Sequence, residues 1–370
     1  MVLRPGDGLF LKRGASWSGT ITLDESGTSV NPITVGAYGS GVNPQLSNGV
    51  GGEGAGCISL KGSWNVVQDL RLVRCSNGSR SGLIVDGSAG AGDYNIVQRM
   101  YISNNQAGVV ISSGADHNRF LNNTLENNNI MTVNTPGGTN DYGAYGFGVE
   151  GGNYSEIAYN VVSGNDAPSY DYVRDGSAVE VFGSSYTNVH HNRAHNNNTF
   201  AEFGDNPGST ATHDNDFSFN VVTADIARGM FMVTRGHAAD FGAADRTKVR
   251  HNSVRLVGTG TPGVWWGGTC DSSVLELRNN VIQAPNAAAI NWGDDYNLYT
   301  VRPSGAVGAH DLVGSPGYVS ASDLHVPASS QAVDRGIDLG YTADADGRPM
   351  PRDGNRDGVT APDMGAYEVQ

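Results

Sequence analysis

Glu180 and Glu202 stand 22 residues apart in DGSAVEVFG and TFAEFGD, each a bare carboxylate inside an apolar, strand-like run. Burying a charge among valines and phenylalanines is costly without a partner, so the two residues call for a chemical reason. If the segments are adjacent strands, their carboxylates are stacked neighbours that repel unless a cation or a shared proton offsets them. Three readings follow. As a glycosidase pair, one Glu protonates the leaving oxygen while the other acts as nucleophile or activates water. As a calcium site, the pair joined by Asp175 or Glu150 supplies hard oxygens. As plain surface groups, they are solvated or tied to an arginine such as Arg174 or Arg235.

Such a pair needs strands in register and loops that wall a groove. Alternation puts Phe147 and Val149, Val179 and Val181, Ala201 and Phe203, and Phe231 and Val233 inside. Glu150, Glu180, Glu202, Met232 and Thr234 are then expected to point out. Three insertions lengthen the chain beside these strands, at 126–145, 165–177 and 236–247, and functional residues gather on loops held by a rigid scaffold. They carry Tyr142, Tyr145, Tyr170, Tyr172 and Arg174, while Trp265 sits on a following strand; the aromatic rings are candidates for stacking on sugar faces. Asp175, Glu150, Arg235 in FMVTRGH and His237 are expected to orient substrate or tune pKa. Trp266 and Trp292 are expected to face the interior.

The strands belong to a repeat. Asparagines recur in FLNNTL, IAYNVV, VHHNRA, FSFNVV, VRHNSV and LRNNVI, with spacings of 37, 32, 28, 32 and 28, a period that signals a solenoid. A second apolar strand recurs in each period, from CISL at 57–60 through VEV at 179–181 to AIN at 289–291. Three short strands per turn with a polar ladder at one corner describe an all-β, single right-handed parallel β-helix with an Asn ladder. The asparagines are thus read as structural, each bonding the coil above and below.

Composition agrees. Glycine is abundant at 52 of 370 residues and there are three lysines, Lys12, Lys61 and Lys248, which argues against helix bundles and doubly wound folds. The net charge of −14 offers no surface to neutralise phosphates, so neither nucleic acid nor an anionic membrane is an expected partner. No run of 18 apolar residues is present to span a bilayer. MVLRPGDGLF lacks the charged and apolar regions of a signal peptide and reads as a trimmed mature chain behind an added Met. Cys57, Cys75 and Cys270 make neither a disulfide framework nor a metal spacing; Cys57 and Cys75 pair if neighbouring coils bring them together, and otherwise are small buried thiols.

The tail DGNRDGVTAPD follows the D-x-N-x-D-G opening of a calcium loop, with Asp353, Asn355 and Asp357 in order and Gly358 at the turn. Asp363 falls one residue short of the bidentate position. Calcium is a possible ligand of these four; the other reading is a cap rich in Asx turns over the last coil.

Two segments carry a resemblance. RPGDGLFLKRGASWSGTITLDESGTSVNPITVGAYGSG at 4–41 resembles the entry segment of secreted bacterial β-helix proteins of the pectate-lyase-like superfamily. The closing SSQAVDRGIDLGYTADADGRPMPRDGNRDGVTAPDMGAYEVQ resembles the ends of many such proteins. The resemblance implies a secreted, carbohydrate-active enzyme, with an entry cap at 1–50, coils bearing the groove at 51–304 and a C-terminal cap at 305–370. Lyases of this fold resemble one another in placing a Lys or Arg base on the groove, with calcium or an Arg neutralising the uronate. No Lys lies between Lys61 and Lys248, which leaves Arg235 with His237 for that role. The expected activity is hydrolysis of a polysaccharide by Glu180 and Glu202, needing no cofactor. The alternatives are a calcium-assisted lyase or uronate epimerase, and a non-catalytic carbohydrate-binding or adhesion solenoid.

Overall fold

A computed structural model describes residues 2–48, 56–75, 81–205, 212–237, 244–259 and 261–370. Two compact units divide the chain, Met1–Thr187 and Asn188–Gln370. No helix occurs among the described residues. Each unit is a stack of parallel β-helix coils that place short strands in three sheets; in the first unit every described coil gives one strand to each, whereas in the second the third sheet ends at Val264–Trp266.

In the first unit the third sheet carries the strands Ser81–Val85, Ala107–Ser112, Tyr145–Glu150 and Ser177–Phe182, paired parallel and in register. Leu83, Val109, Phe147 and Val179 follow one another across that ladder, all fully or nearly fully buried. One residue per coil thus extends a single apolar column, the continuous burial expected of a sheet whose inner face meets the core.

Corners are held by the asparagines. In both units the residue before each ladder Asn is left-handed without being glycine: Asn122, Tyr159, His191, Phe219, His251, Asn279 and Tyr296 all have φ between 49° and 59°. That conformation costs about 1–2 kcal/mol per residue, and the next Asn offsets it. Asn123 donates its amide and its Nδ2 to Asn160 Oδ1 at 2.8 and 3.0 Å. Asn220 does the same to Asn252, Asn252 to Asn280, and Asn280 to Asn297. Two further ladders that the repeat did not reveal run through Asn65, Asn95 and Asn118 and through Asn105, Asn128 and Asn165. Cys57 and Cys75 form a disulfide with Cα atoms 5.2 Å apart. Cys270 is buried and free, its thiol pushed up to about 12 by burial and by Asp271, so it is no nucleophile.

In the second unit the expected alternation fails on one strand. Met232 pairs with Ala201 and Val264, while Val233 pairs with Glu202 and Trp265. Met232 and Thr234 are therefore inside, fully buried, and Val233 takes the outer face. The amides of Phe231 and Met232 both bond the Gly263 carbonyl; that kink turns two consecutive side chains inward and resets the alternation. Trp292 is interior as expected, whereas Trp266 is only half-buried and bonds the Ala289 carbonyl.

The C-terminal segment folds back over its coils. Ala366 and Tyr367 pack with Val221 and Leu324, and Met364 packs with Val281, Leu298 and Ala332. Beneath lies a costly carboxyl. Asp294 accepts from Tyr299 Oη, Asn297 Nδ2 and Trp292 Nε1, all on Oδ1. Burial and the facing Asp311 push its pKa well above the carboxylate range. A raised folded-state pKa gives stability that is full below about pH 4, the unfolded value, and is lost as pH rises above it. Asp294→Asn keeps the three accepted bonds and mimics the protonated form. The variant is expected to melt with wild type at pH 4 and increasingly above it towards pH 8, followed by thermal scans. A constant difference across that range would refute the assignment.

Candidate functional site

In the first unit the two insertions are not irregular loops but hairpins. Met131–Val133 pairs antiparallel with Tyr142–Gly143, and Ala167–Ser169 with Val173–Asp175. Two aspartates that sequence reasoning missed clasp them together. Asp141 accepts from Ser169 Oγ at 2.7 Å and from the amides of Thr135, Tyr170 and Asp171. Asp171 returns the contact, accepting from the amides of Asn140 and Asp141. Burial works against the Asp141 charge, but the Ser169 hydroxyl and the three amides outweigh it and hold the carboxyl below its ordinary value. A reciprocal Asp pair between loops has no fixed spacing, so no motif announced it. Asp141→Ala is expected to raise the rate of limited proteolysis within 126–145 by roughly tenfold while the coils keep their circular dichroism. Equal cleavage of variant and wild type would show the clasp to be dispensable.

Beside this wall lie the paired strands Tyr145–Glu150 and Ser177–Phe182, which together bring a phenol and two carboxylates close to one another. Tyr145 is 5% exposed and donates its hydroxyl to Glu150 Oε1 at 2.9 Å. Its ring lies over Gly148: a Cβ there would stand 2.5 Å from the ring, so only glycine admits this packing. Gly148 is the ladder partner of Glu180, which brings Glu180 to the same ring. Burial, then the charges of Glu150 and Glu180, hold the Tyr145 hydroxyl far above its ordinary pKa. It stays protonated and donating. The surrounding protein pushes the Glu150 carboxyl above the usual range, and the Tyr145 hydrogen bond pulls the other way with less effect. The Glu150 side chain is nonetheless exposed to water, so the rise is a modest one. Glu150 pairs with Phe182, two residues beyond Glu180; such diagonal neighbours sit roughly 7–8 Å apart.

Several expected roles change. Tyr145 is no platform for a sugar, because its ring is buried over Gly148. Arg174 is held by Asp166 through two contacts of 2.7 Å and braces the base of its hairpin instead of reaching for substrate. Asp175, half-buried at the hairpin's end, accepts the next amide, Gly176. Tyr142 and Tyr170 are exposed, at 50% and 66%, as stacking requires, and Tyr172 donates its hydroxyl to the Thr139 carbonyl.

In the second unit Glu202 and Arg235 are engaged with each other. Arg235 Nε and Nη2 both reach Glu202 Oε1, at 2.9 and 2.5 Å, the arginine-tied arrangement among the three readings. His237 lies 3.8 Å from Asp245 and 3.4 Å from Ser273 Oγ. The Ser273 hydroxyl is given to Asp271 at 2.6 Å, so the trio is not set as a nucleophilic triad. The insertion at 236–247 has its middle, 238–243, outside the described residues. Trp265 is 43% exposed on the outer face, as expected. The tail residues Asp353, Asn355 and Asp357 come together, whereas Asp363 turns away: its two oxygens accept the amides of Asp334 and Val369. One residue short of the bidentate position, its carboxylate faces the cap's interior instead of the loop.

No family model matches this sequence, and no curated protein matches it. Among solved structures it is similar to the pectate lyase Pel9A, with TM-score 0.66 and 16% identity, over 100% of this chain and 89% of that one. It is also similar to the GH136 lacto-N-biosidase from Eubacterium ramulus, with TM-score 0.56 and 14% identity, over 85% of this chain and 62% of that one. At these identities the likeness establishes the parallel β-helix fold.

Proposed function

We propose that this chain is a secreted carbohydrate-active enzyme that hydrolyses glycosidic bonds of a polysaccharide, with Glu150 and Glu180 as its working carboxylates. The observation that carries the reading is the buried Tyr145 hydroxyl bonded to Glu150 at 2.9 Å with Glu180 facing the same ring. It gathers two carboxyls at one phenol, with Glu150 pushed towards its protonated form, and hydrolysis needs such a pair to divide the roles of acid and base. Glu150 gives its proton to the glycosidic oxygen as the C1–O bond breaks. Glu180 takes a proton from the water that bonds to C1, leaving a hydroxyl on one fragment and a hemiacetal on the other. Tyr142 and Tyr170, on the two hairpins, offer exposed rings for sugar faces.

The fold supports cleavage of glycans without choosing the reaction, since the similar structures bear the names of a lyase and of a glycosidase. Side chains favour hydrolysis. The central strands carry no lysine, and Arg235, the alternative base, would first have to leave Glu202. The net charge of −14 also suits a neutral glycan better than a polyuronate. The Cys57–Cys75 disulfide fits an oxidising, extracellular setting.

Digestion of a panel of neutral and uronate polysaccharides, read by reducing ends and by the near-ultraviolet absorbance of unsaturated uronates, tests the reading. Reducing ends without that absorbance are expected. Their appearance together would transfer the chemistry to elimination, and binding without cleavage would leave a carbohydrate-binding solenoid.

A further inference from the structure

The tail holds a second constellation with no part in that chemistry. One carboxylate oxygen from each of Asp334, Asp353 and Asp357 lies within 4.8 Å of the others. Asp353 and Asp357 are the first and fifth residues of the D-x-N-x-D-G loop. Asp334 comes from outside it, from the turn of SSQAVDRG, and takes the place expected for Asp363. It is only 7% exposed. Its Oδ2 accepts the Asn355 amide at 3.2 Å, while its Oδ1 is fully enclosed and has no hydrogen-bond partner among the described residues.

An enclosed carboxylate with an unpartnered oxygen, set against two more carboxylates, is a costly arrangement on its own. A cation removes both costs at once, by accepting the idle oxygen as a ligand and by neutralising the repulsion. We propose that Asp334, Asp353 and Asp357 bind a calcium ion that locks the C-terminal cap. All three donors are hard oxygens, and calcium accepts the remaining coordination from backbone carbonyls and water in a flexible shell, whereas magnesium demands a near-ideal octahedron. The loop is already organised by its own side chains: Asp353 accepts the amides of Asp357 and Gly358, and Asn355 accepts that of Asp357. Gly358, at φ 90°, makes the turn that L side chains resist. The ion would join this loop to Asp334, about twenty residues earlier, and through its amide to Asp363.

The full chain, stripped with EGTA and exchanged into calcium-free buffer, is titrated with calcium chloride by calorimetry, with magnesium chloride as control, and melted with and without calcium. Calcium is expected to bind at one more site in wild type than in Asp334→Asn, and to raise the wild-type melting temperature by about 3 °C or more. Asp357→Ala, at an exposed loop position, is the second variant should Asp334→Asn fold poorly; it is expected to weaken the same site at least tenfold. No calcium binding by wild type, or equal stoichiometry and affinity in wild type and in the variants that fold, overturns the assignment. Equal binding of magnesium overturns the choice of ion.

Discussion

Glu150→Gln is expected to lower the rate of glycosidic cleavage by about 10²- to 10⁴-fold, the range that a positioned general acid or base contributes. Glutamine keeps the shape of the side chain and still accepts from Tyr145 Oη, so the strand and the Tyr145 ring over Gly148 should be unchanged. What is lost is a transferable proton. Glu180→Gln is expected to fall in the same range, because the amide can neither take a proton from water nor stabilise positive charge at C1. Since burial holds Glu150 above the usual carboxylate range, wild-type activity should decline as pH rises through that elevated value, and this alkaline limb should disappear in Glu150→Gln. Tyr145→Phe separates positioning from chemistry: with the hydroxyl gone, the limb should shift while activity survives in part. Steady-state rates across pH for the three variants check the assignment. Full activity in Glu150→Gln with native circular dichroism would sink it.

Acid should loosen the C-terminal segment of the second unit. His251 is fully buried in a stack against Phe219, with Tyr341 edge-on. Its Nε2 accepts from Asn279 Nδ2 at 2.9 Å and its Nδ1 faces the Gly365 carbonyl at 3.3 Å. Asn279 in turn bonds both the amide and the carbonyl of Ile337, and its own carbonyl accepts the Gly365 amide. One neutral imidazole thus pegs two points of the cap to the coil. Burial, helped by Arg250 and opposed by the Gly365 and Asp363 carbonyls and by Asp338, lowers its pKa from 6.5 to about 4.

With the folded value depressed, the unfolded chain binds more protons between those two values. Stability from this group is full above about pH 6.5 and is lost as pH falls, by about 3 kcal/mol at pH 4. Protonation also removes the acceptor that Asn279 needs. His251→Phe keeps the stack and cannot titrate. The variant should be less stable than wild type at pH 7, for want of the two hydrogen bonds, yet show a shallower decline between pH 7 and pH 4. Urea midpoints at several pH values measure that difference in slope, and parallel declines would count against the peg. His191, also lowered to about 4 by burial and His190, retains its contribution in the variant, so a residual slope is expected.

Much of the architecture was legible because it rests on local chemistry repeated at a fixed interval. The Asn ladders of the two units, through Asn123 and Asn160 in one and Asn220, Asn252 and Asn280 in the other, lie where the repeat placed them, since a side chain that must bond the next coil can occupy only one place per turn. The inward column of Phe147 and Val179 was equally readable from alternation. The candidate site was legible in part. Glu150 and Glu180 stood out as charges on apolar strands, but their meeting at Tyr145 depends on a ring folded over Gly148, which no spacing encodes. Met232 and Thr234 were misplaced because a kink at Phe231 breaks a rule that assumes regular pleating.

Sequence alone determined the fold class, the outward carboxylates and the calcium-like opening of the tail, all set by short-range periodicity and by turn residues with few alternatives. Tertiary structure decided the partners: Glu202 with Arg235, Arg174 with Asp166, Asp141 with the hairpin of Asp171, and Asp334 in place of Asp363. Each of these contacts joins residues brought together by loop closure, whose cost grows only slowly with length. Separation along the chain therefore carries little information about which side chains finally meet.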